Sequence, residues 1–156
     1  IPSLVGSEMC IRDRSLGAQN VYQSKPLGRH IWINPALNFC KPDHGWKPRI
    51  LNRMMQALAL DQSTVLENFA QGLACPEVTI WLEHAKTIQS TDLITGLEKL
   101  RDFSHNGELT GAVIVGAQDQ ITKPIVQQEF ANISLCPHAG HWPLHPEILQ
   151  SIHELL

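Results

Sequence analysis

The chain has 156 residues, 43% of them hydrophobic and 17% charged, with a formal net charge of −3 and a pI near 6.2. That size suits one domain with its own core, and the acidic balance excludes a general nucleic-acid binder, which needs a basic surface. No apolar run reaches the length of roughly 18 residues that a transmembrane helix requires, and the opening "IPSLVGSEMCIRDR" lacks the basic start and long apolar centre of a signal peptide.

In chain order the first clear element is "GRHIWINPAL". Ile31, Trp32 and Ile33 predict a short buried strand from Arg29 to about Asn34, closed by Pro35. Between Phe39 and His105 the pattern turns helical. "KPRILNRMMQALAL" places Ile50, Leu51, Met54, Met55 and Leu58 on one face, with Pro48 in the first turn. "STVLENFAQGLA" predicts a second helix with the stripe Val65, Leu66, Phe69 and Leu73; Thr64 and Glu67 have capping-box spacing. A third helical stretch begins at Pro76, and a fourth, "STDLITGLEKLRDF", carries Leu93, Leu97 and Leu100. These stripes are first of all packing faces.

The strand signal returns in "ELTGAVIVGAQD", where Ala112 to Val115 form a continuous apolar run ending at Gly116, as in a parallel strand buried on both faces. "NISLCP" predicts another short strand. Pro146 opens a final amphipathic helix with the stripe Ile148, Leu149, Ile152 and Leu155. Three strands and one terminal helix make too little sheet for a complete α/β domain, so the chain is expected to lack its beginning. The cysteines Cys10, Cys40, Cys75 and Cys136 form no CxxC pair, which suits reduced thiols in a cytoplasm.

Three groups are candidates for chemistry. Asp119 follows a predicted strand by a few residues, where functional groups gather in open parallel sheets; the plainer reading is a turn cap. "CPHAGHWPLHPE" concentrates three of the eight histidines, His138, His141 and His145. As metal ligands they would have to converge on one ion, yet prolines interrupt the segment, so no helix aligns His141 with His145. Ser15-Leu16-Gly17 is the second half of G-x-S-x-G, in which a tight strand-to-helix turn exposes the serine oxygen. S-x-G alone is uninformative; its value lies in the order serine, acid after a strand, histidine after the next strand.

On "SLGAQ", "IWINPALNFC", "GAQDQITKP" and "HAGHWPLHP", the chain from about Ser15 to Leu156 resembles the second half of an α/β-hydrolase. Within that superfamily it is similar to the pimeloyl-[acyl-carrier protein] methyl ester esterases of biotin synthesis, whose lid the helical block resembles. The resemblance implies an α/β fold, a truncated α/β-hydrolase in which a parallel sheet carries an inserted helical lid. It implies hydrolase core at 15–36 and 107–156 and lid at 37–106. One departure stands out: Asp13 occupies the place of the motif's first glycine. "VGSEMCIRDR" looks like translated sequencing-adapter DNA, so residues 1–14 are expected to be a non-native segment.

The implied machinery is Ser15 as nucleophile, His141 as general base and acid, Asp119 as its orienter, and the Leu16 N–H as half of an oxyanion hole. His138 and His145 become bystanders. The implied substrate is the distal methyl ester of an acyl chain on an acyl-carrier protein, which Lys47, Arg49 and Arg53 of the first lid helix would dock. No cofactor, metal, nucleic acid or membrane enters this scheme, and a cytoplasmic monomer is the expectation. The rivals are another small-ester or thioester hydrolase, and a non-catalytic fragment or binding module in which Asp119 and His141 are structural.

With at best one oxyanion donor, whose partner's loss costs about 2.7–4 kcal/mol of transition-state stabilisation, this chain is expected to be inactive or nearly so. A p-nitrophenyl acetate assay checks this; robust turnover silenced by Ser15→Ala contradicts it.

Overall fold

The computed structural model describes residues 10–14, for which only the course of the backbone is given, and residues 29–42, 44–104, 110–123 and 132–156. Four strands form one parallel sheet in the order β1 (Cys10–Arg14), β2 (Arg29–Pro35), β3 (Ala112–Gly116) and β4 (Ile133–Cys136). Ile33 of β2 stands between Arg14 of β1 and Ile114 of β3, and Val115 of β3 stands opposite Leu135 of β4. Because every pair is parallel, all four strands deliver their carboxyl ends to the same edge.

β2 and β3 are covered by apolar side chains on both faces, which explains their unbroken apolar runs. Alternate side chains take opposite sides. Ile31, Ile33 and Ile114 pack with Cys136, Ala139, Ile148 and Ile152 on one face. Trp32, Val113 and Val115 pack with Leu37 on the other, joined by the partly buried Phe103 and Ile133. Trp32 also satisfies its indole N–H on Thr110 O at 2.8 Å, the condition for burying so large a polar-tipped ring.

Four strands stand where three were predicted. The extra one, β1, falls in "CIRDR", whose charged residues hide it from any periodicity rule. Strand pairing uses backbone N–H and C=O groups, and the β2 edge leaves a row of them to satisfy.

Among the described residues between β2 and β3 lie four helices: α1 (Pro48–Leu60), α2 (Gln62–Leu73), α3 (Val78–Ala85) and α4 (Ser90–Asp102). α1 packs against α2 and α4, and α2 against α3. Leu51, Leu73 and Leu100 form their core with Ala36, Phe39 and Ile121, all three contributed from outside the helices. Arg101 ties α4 to α1 through Asn52 Oδ1 at 2.8 Å. Pro48 opens α1 as predicted, but Ile50 of its stripe is exposed.

The α2 cap departs from the capping box at Thr64 and Glu67. Asp61 is the N-cap: its Oδ1 accepts from Thr64 N at 3.1 Å and its Oδ2 from Thr64 Oγ1 at 2.7 Å. The helix therefore starts earlier, because a carboxylate accepts from a threonine's N–H and O–H together. Pro76 precedes the third helix by two residues rather than opening it.

α5 (Pro146–Leu155) closes the fold against β3 and β4. Ile148 and Ile152 are buried on the sheet, while Leu149 of the expected stripe is 45% exposed. A three- or four-residue step keeps 148, 152 and 155 on one line; 149 lies about 100° around from 148.

These burials give opposed expectations for two leucines. Leu51→Ala, at a fully buried site, should lower unfolding free energy by about 2–5 kcal/mol. Leu149→Ala should change it by no more than about 0.5 kcal/mol. Urea denaturation of both variants checks the contrast.

Candidate active site

The carboxyl edge of the sheet gathers the candidate residues. β3 ends at Gly116, and the following turn brings Asp119 N onto Gly116 O at 3.2 Å. β4 ends at Cys136 and its exit loop carries His141. His141 Nδ1 lies 2.8 Å from Asp119 Oδ2. Asp119 and His141 are 4% and 2% exposed, so the contact is shielded from water.

The other carboxylate oxygen is occupied too. Asp119 Oδ1 accepts from Ile121 N at 2.7 Å and Thr122 N at 3.0 Å. The carboxylate is thus locked in rotation, with Oδ2 aimed at the imidazole. With a carboxylate as its partner, Nδ1 carries the ring proton, which leaves Nε2 as the basic nitrogen. A buried, oriented imidazole of this kind accepts a proton at a fixed point and returns it.

The two loops are also joined through the backbone. Gln118 N donates to Ala139 O at 2.9 Å, and Ala117 N to Cys136 O at 2.9 Å. The histidine loop lies directly over the end of β3. A Cβ on Gly116 would stand 2.4 Å from both Ala139 O and Gly140 O, so no other residue fits there without moving the loop. Gly140 has more room: its Cβ would meet Ala74, the C-cap of α2, at 3.3 Å.

The three histidines are bonded in three different ways. His141 pairs with Asp119. His138 Nδ1 lies 2.6 Å from Glu147 Oε1 and its N–H donates to Glu147 Oε2 at 2.9 Å. His145 caps α5, its Nδ1 accepting from Glu147 N at 3.3 Å. Among the described residues no three His, Cys, Asp or Glu side chains gather as a metal would require.

Ser15 and Leu16 lie outside the described residues; in sequence Ser15 directly follows the last residue of β1. Lys47, Arg49 and Arg53 are exposed at the start and outer face of α1. Arg53 borders a cavity of about 360 Å³ whose walls include Trp46, Met54, Val65 and Phe69. The indole N–H of Trp46 reaches Gln120 O at 3.4 Å, beside the acid.

Sequence reasoning missed the supports of this pair. Ile121, two residues past Asp119, belongs to the core of the helical block. Asn34, fully buried at the end of β2, bonds to both Gly116 and the histidine loop. Its signal was available: a lone amide directly after the apolar run Ile31–Ile33 and just before a proline.

No family model matches this sequence, and no curated protein does. Among solved structures the chain is similar to an esterase from Exiguobacterium antarcticum, with a TM-score of 0.76 and 17% identity over 92% of this chain and 63% of that one. A hydrolase from Oleispira antarctica gives 0.66 and 14%, over 94% of this chain and 64% of that one. BioG from Haemophilus influenzae gives 0.60 and 16%, over 85% and 66%. The chain therefore spans just under two thirds of the length of each of these structures. The fold is α/β-hydrolase-like, a parallel sheet flanked by helices and carrying helical insertions.

The Glu147 contacts set a pH expectation. Hydrogen bonds from the His138 backbone and ring hold its carboxyl below the usual glutamate range. A depressed folded pKa adds stability above the unfolded value of about 4.3, and that stability is lost as pH falls through the lower folded value. Glu147→Gln should therefore be less stable than the unmodified chain at pH 6, with the gap closing below about pH 4. Urea midpoints at the two pH values check the sign.

Proposed function

We propose that the parent protein is a serine hydrolase of carboxylic esters or thioesters, with Ser15, His141 and Asp119 as its triad. The observation that carries this reading is the buried Asp119–His141 pair at the carboxyl edge of a parallel sheet. Fold similarity to an esterase and a hydrolase supports the same class.

In this scheme Ser15 Oγ attacks the ester carbonyl while His141 Nε2 takes its proton. The oxyanion is held by the Leu16 N–H and a second donor. Asp119 keeps the tautomer and faces the imidazolium as it forms. Collapse expels the alcohol or thiol with the proton from His141, leaving an acyl-serine. A water, deprotonated by His141, then releases the acid and restores Ser15.

The narrower reading takes the substrate as the pimeloyl-[acyl-carrier protein] methyl ester. Its support is the sequence resemblance of the lid and the exposed Lys47, Arg49 and Arg53, a basic edge able to steer an acidic carrier.

With the upstream sequence restored from genomic DNA, Asp119→Asn and His141→Ala should each lower kcat for p-nitrophenyl acetate by about 10⁴-fold. Undiminished turnover in His141→Ala removes the mechanism; absence of turnover in the restored parent favours a binding module. Charge reversal of Arg49 and Arg53 together should raise KM for a carrier-borne ester, more at low salt than at high, and leave p-nitrophenyl acetate unaffected. Equal effects on both substrates refute carrier docking.

A further inference from the structure

We infer that Asn34 is a positioning residue that draws the His141 loop back across the sheet toward the strand that precedes Ser15. The inference rests on the hydrolase reading proposed above.

In the order β1-β2-β3-β4, β4 is two strand spacings from β2, roughly 9–10 Å. A side chain at the end of β2 meets the β4 exit loop only if that loop folds over the end of β3. It does. Asn34 Nδ2 donates to Gly140 O at 3.2 Å and to His141 O at 3.4 Å. Its Oδ1 accepts from Gly116 N at 2.9 Å, on the intervening strand. One fully buried amide thus joins the ends of β2 and β3 to the carbonyl of the base itself.

Three features show that the site is built for this arm. Asn34 has φ of 43°, a left-handed conformation that asparagine tolerates better than other side-chain-bearing residues. Gly116 lacks the Cβ that would push the loop away, with Ala139 O and Gly140 O both 2.4 Å from where that atom would be. All of the amide's reach is directed at backbone, so the contact depends on loop position alone. His141 is thereby held from two sides: Asp119 sets the rotation of its ring, and Asn34 sets where its backbone stands.

Two variants separate positioning from mere support. Asn34→Gly removes both arms and keeps the left-handed backbone. Asn34→Asp keeps the acceptor for Gly116 N and sets an oxygen against the two carbonyls. The test is NMR on the 156-residue chain, at temperatures where circular dichroism shows both variants folded. The Nδ1–H signal of His141, in its bond to Asp119, is expected to shift or broaden in both. Gly116 N–H is expected to lose exchange protection in Asn34→Gly and keep it in Asn34→Asp. In the restored parent, kcat should fall on the order of a hundredfold with KM little changed.

An unchanged His141 signal in the folded variants overturns the inference, whatever the melting temperature does. Should Asn34→Gly fail to fold, Asn34→Asp decides on the same signal. In the unmodified chain the Nδ2 protons of Asn34 should exchange slowly, and rapid exchange there also overturns it. Failure of the hydrolase reading looks different: Ser15-dependent turnover is absent from the restored parent while the His141 signal still responds to Asn34.

Discussion

The hydrogen bond between Asp119 and His141 is the contact on which the arrangement of this edge depends. It joins two loops 22 residues apart in sequence, and neither has regular structure to hold it. Both partners are shielded from water, so each polar atom must be satisfied by protein or incur a desolvation cost. The carboxylate meets that demand with two backbone N–H groups and the imidazole. The parallel sheet supplies what the bond needs first, the delivery of both loops to one edge.

Around that bond the loops are built as one body. The acid turn and the histidine loop share backbone bonds through Ala117 and Gln118. α5 pins the same loop from its far side, since Glu147 in its first turn accepts from His138. The three clustered histidines are therefore not one feature but three: an imidazole oriented by a buried carboxylate, a surface partner for a glutamate, and a helix cap.

The outline of this architecture was legible because it is written in apolar periodicity. Ile31–Ile33 and Ala112–Val115 read as buried strands, and the inserted helices and α5 read from their stripes. Asp119 and His141 were legible as residues that follow strands, and the resemblance to α/β-hydrolases joined them. What stayed hidden depends on backbone geometry. β1 pairs through peptide groups that its charged sequence does not advertise. Asp61 displaced the cap expected at Thr64 because its carboxylate accepts from both the N–H and the O–H of that threonine, which spacing alone does not rank. Asn34 is a single amide whose partners are all main-chain atoms more than 80 residues away, and no local pattern encodes a contact of that range.

Ile121 ties the packing of the helical block to the geometry of the acid. It sits in the apolar centre of that block yet lies two residues from Asp119, whose Oδ1 accepts its N–H. Trimming Leu51 or Leu73 therefore loosens the residue that braces the carboxylate. Ile50, Val78 and Ile80 lie on the solvent side of the block, where a substitution leaves that brace in place.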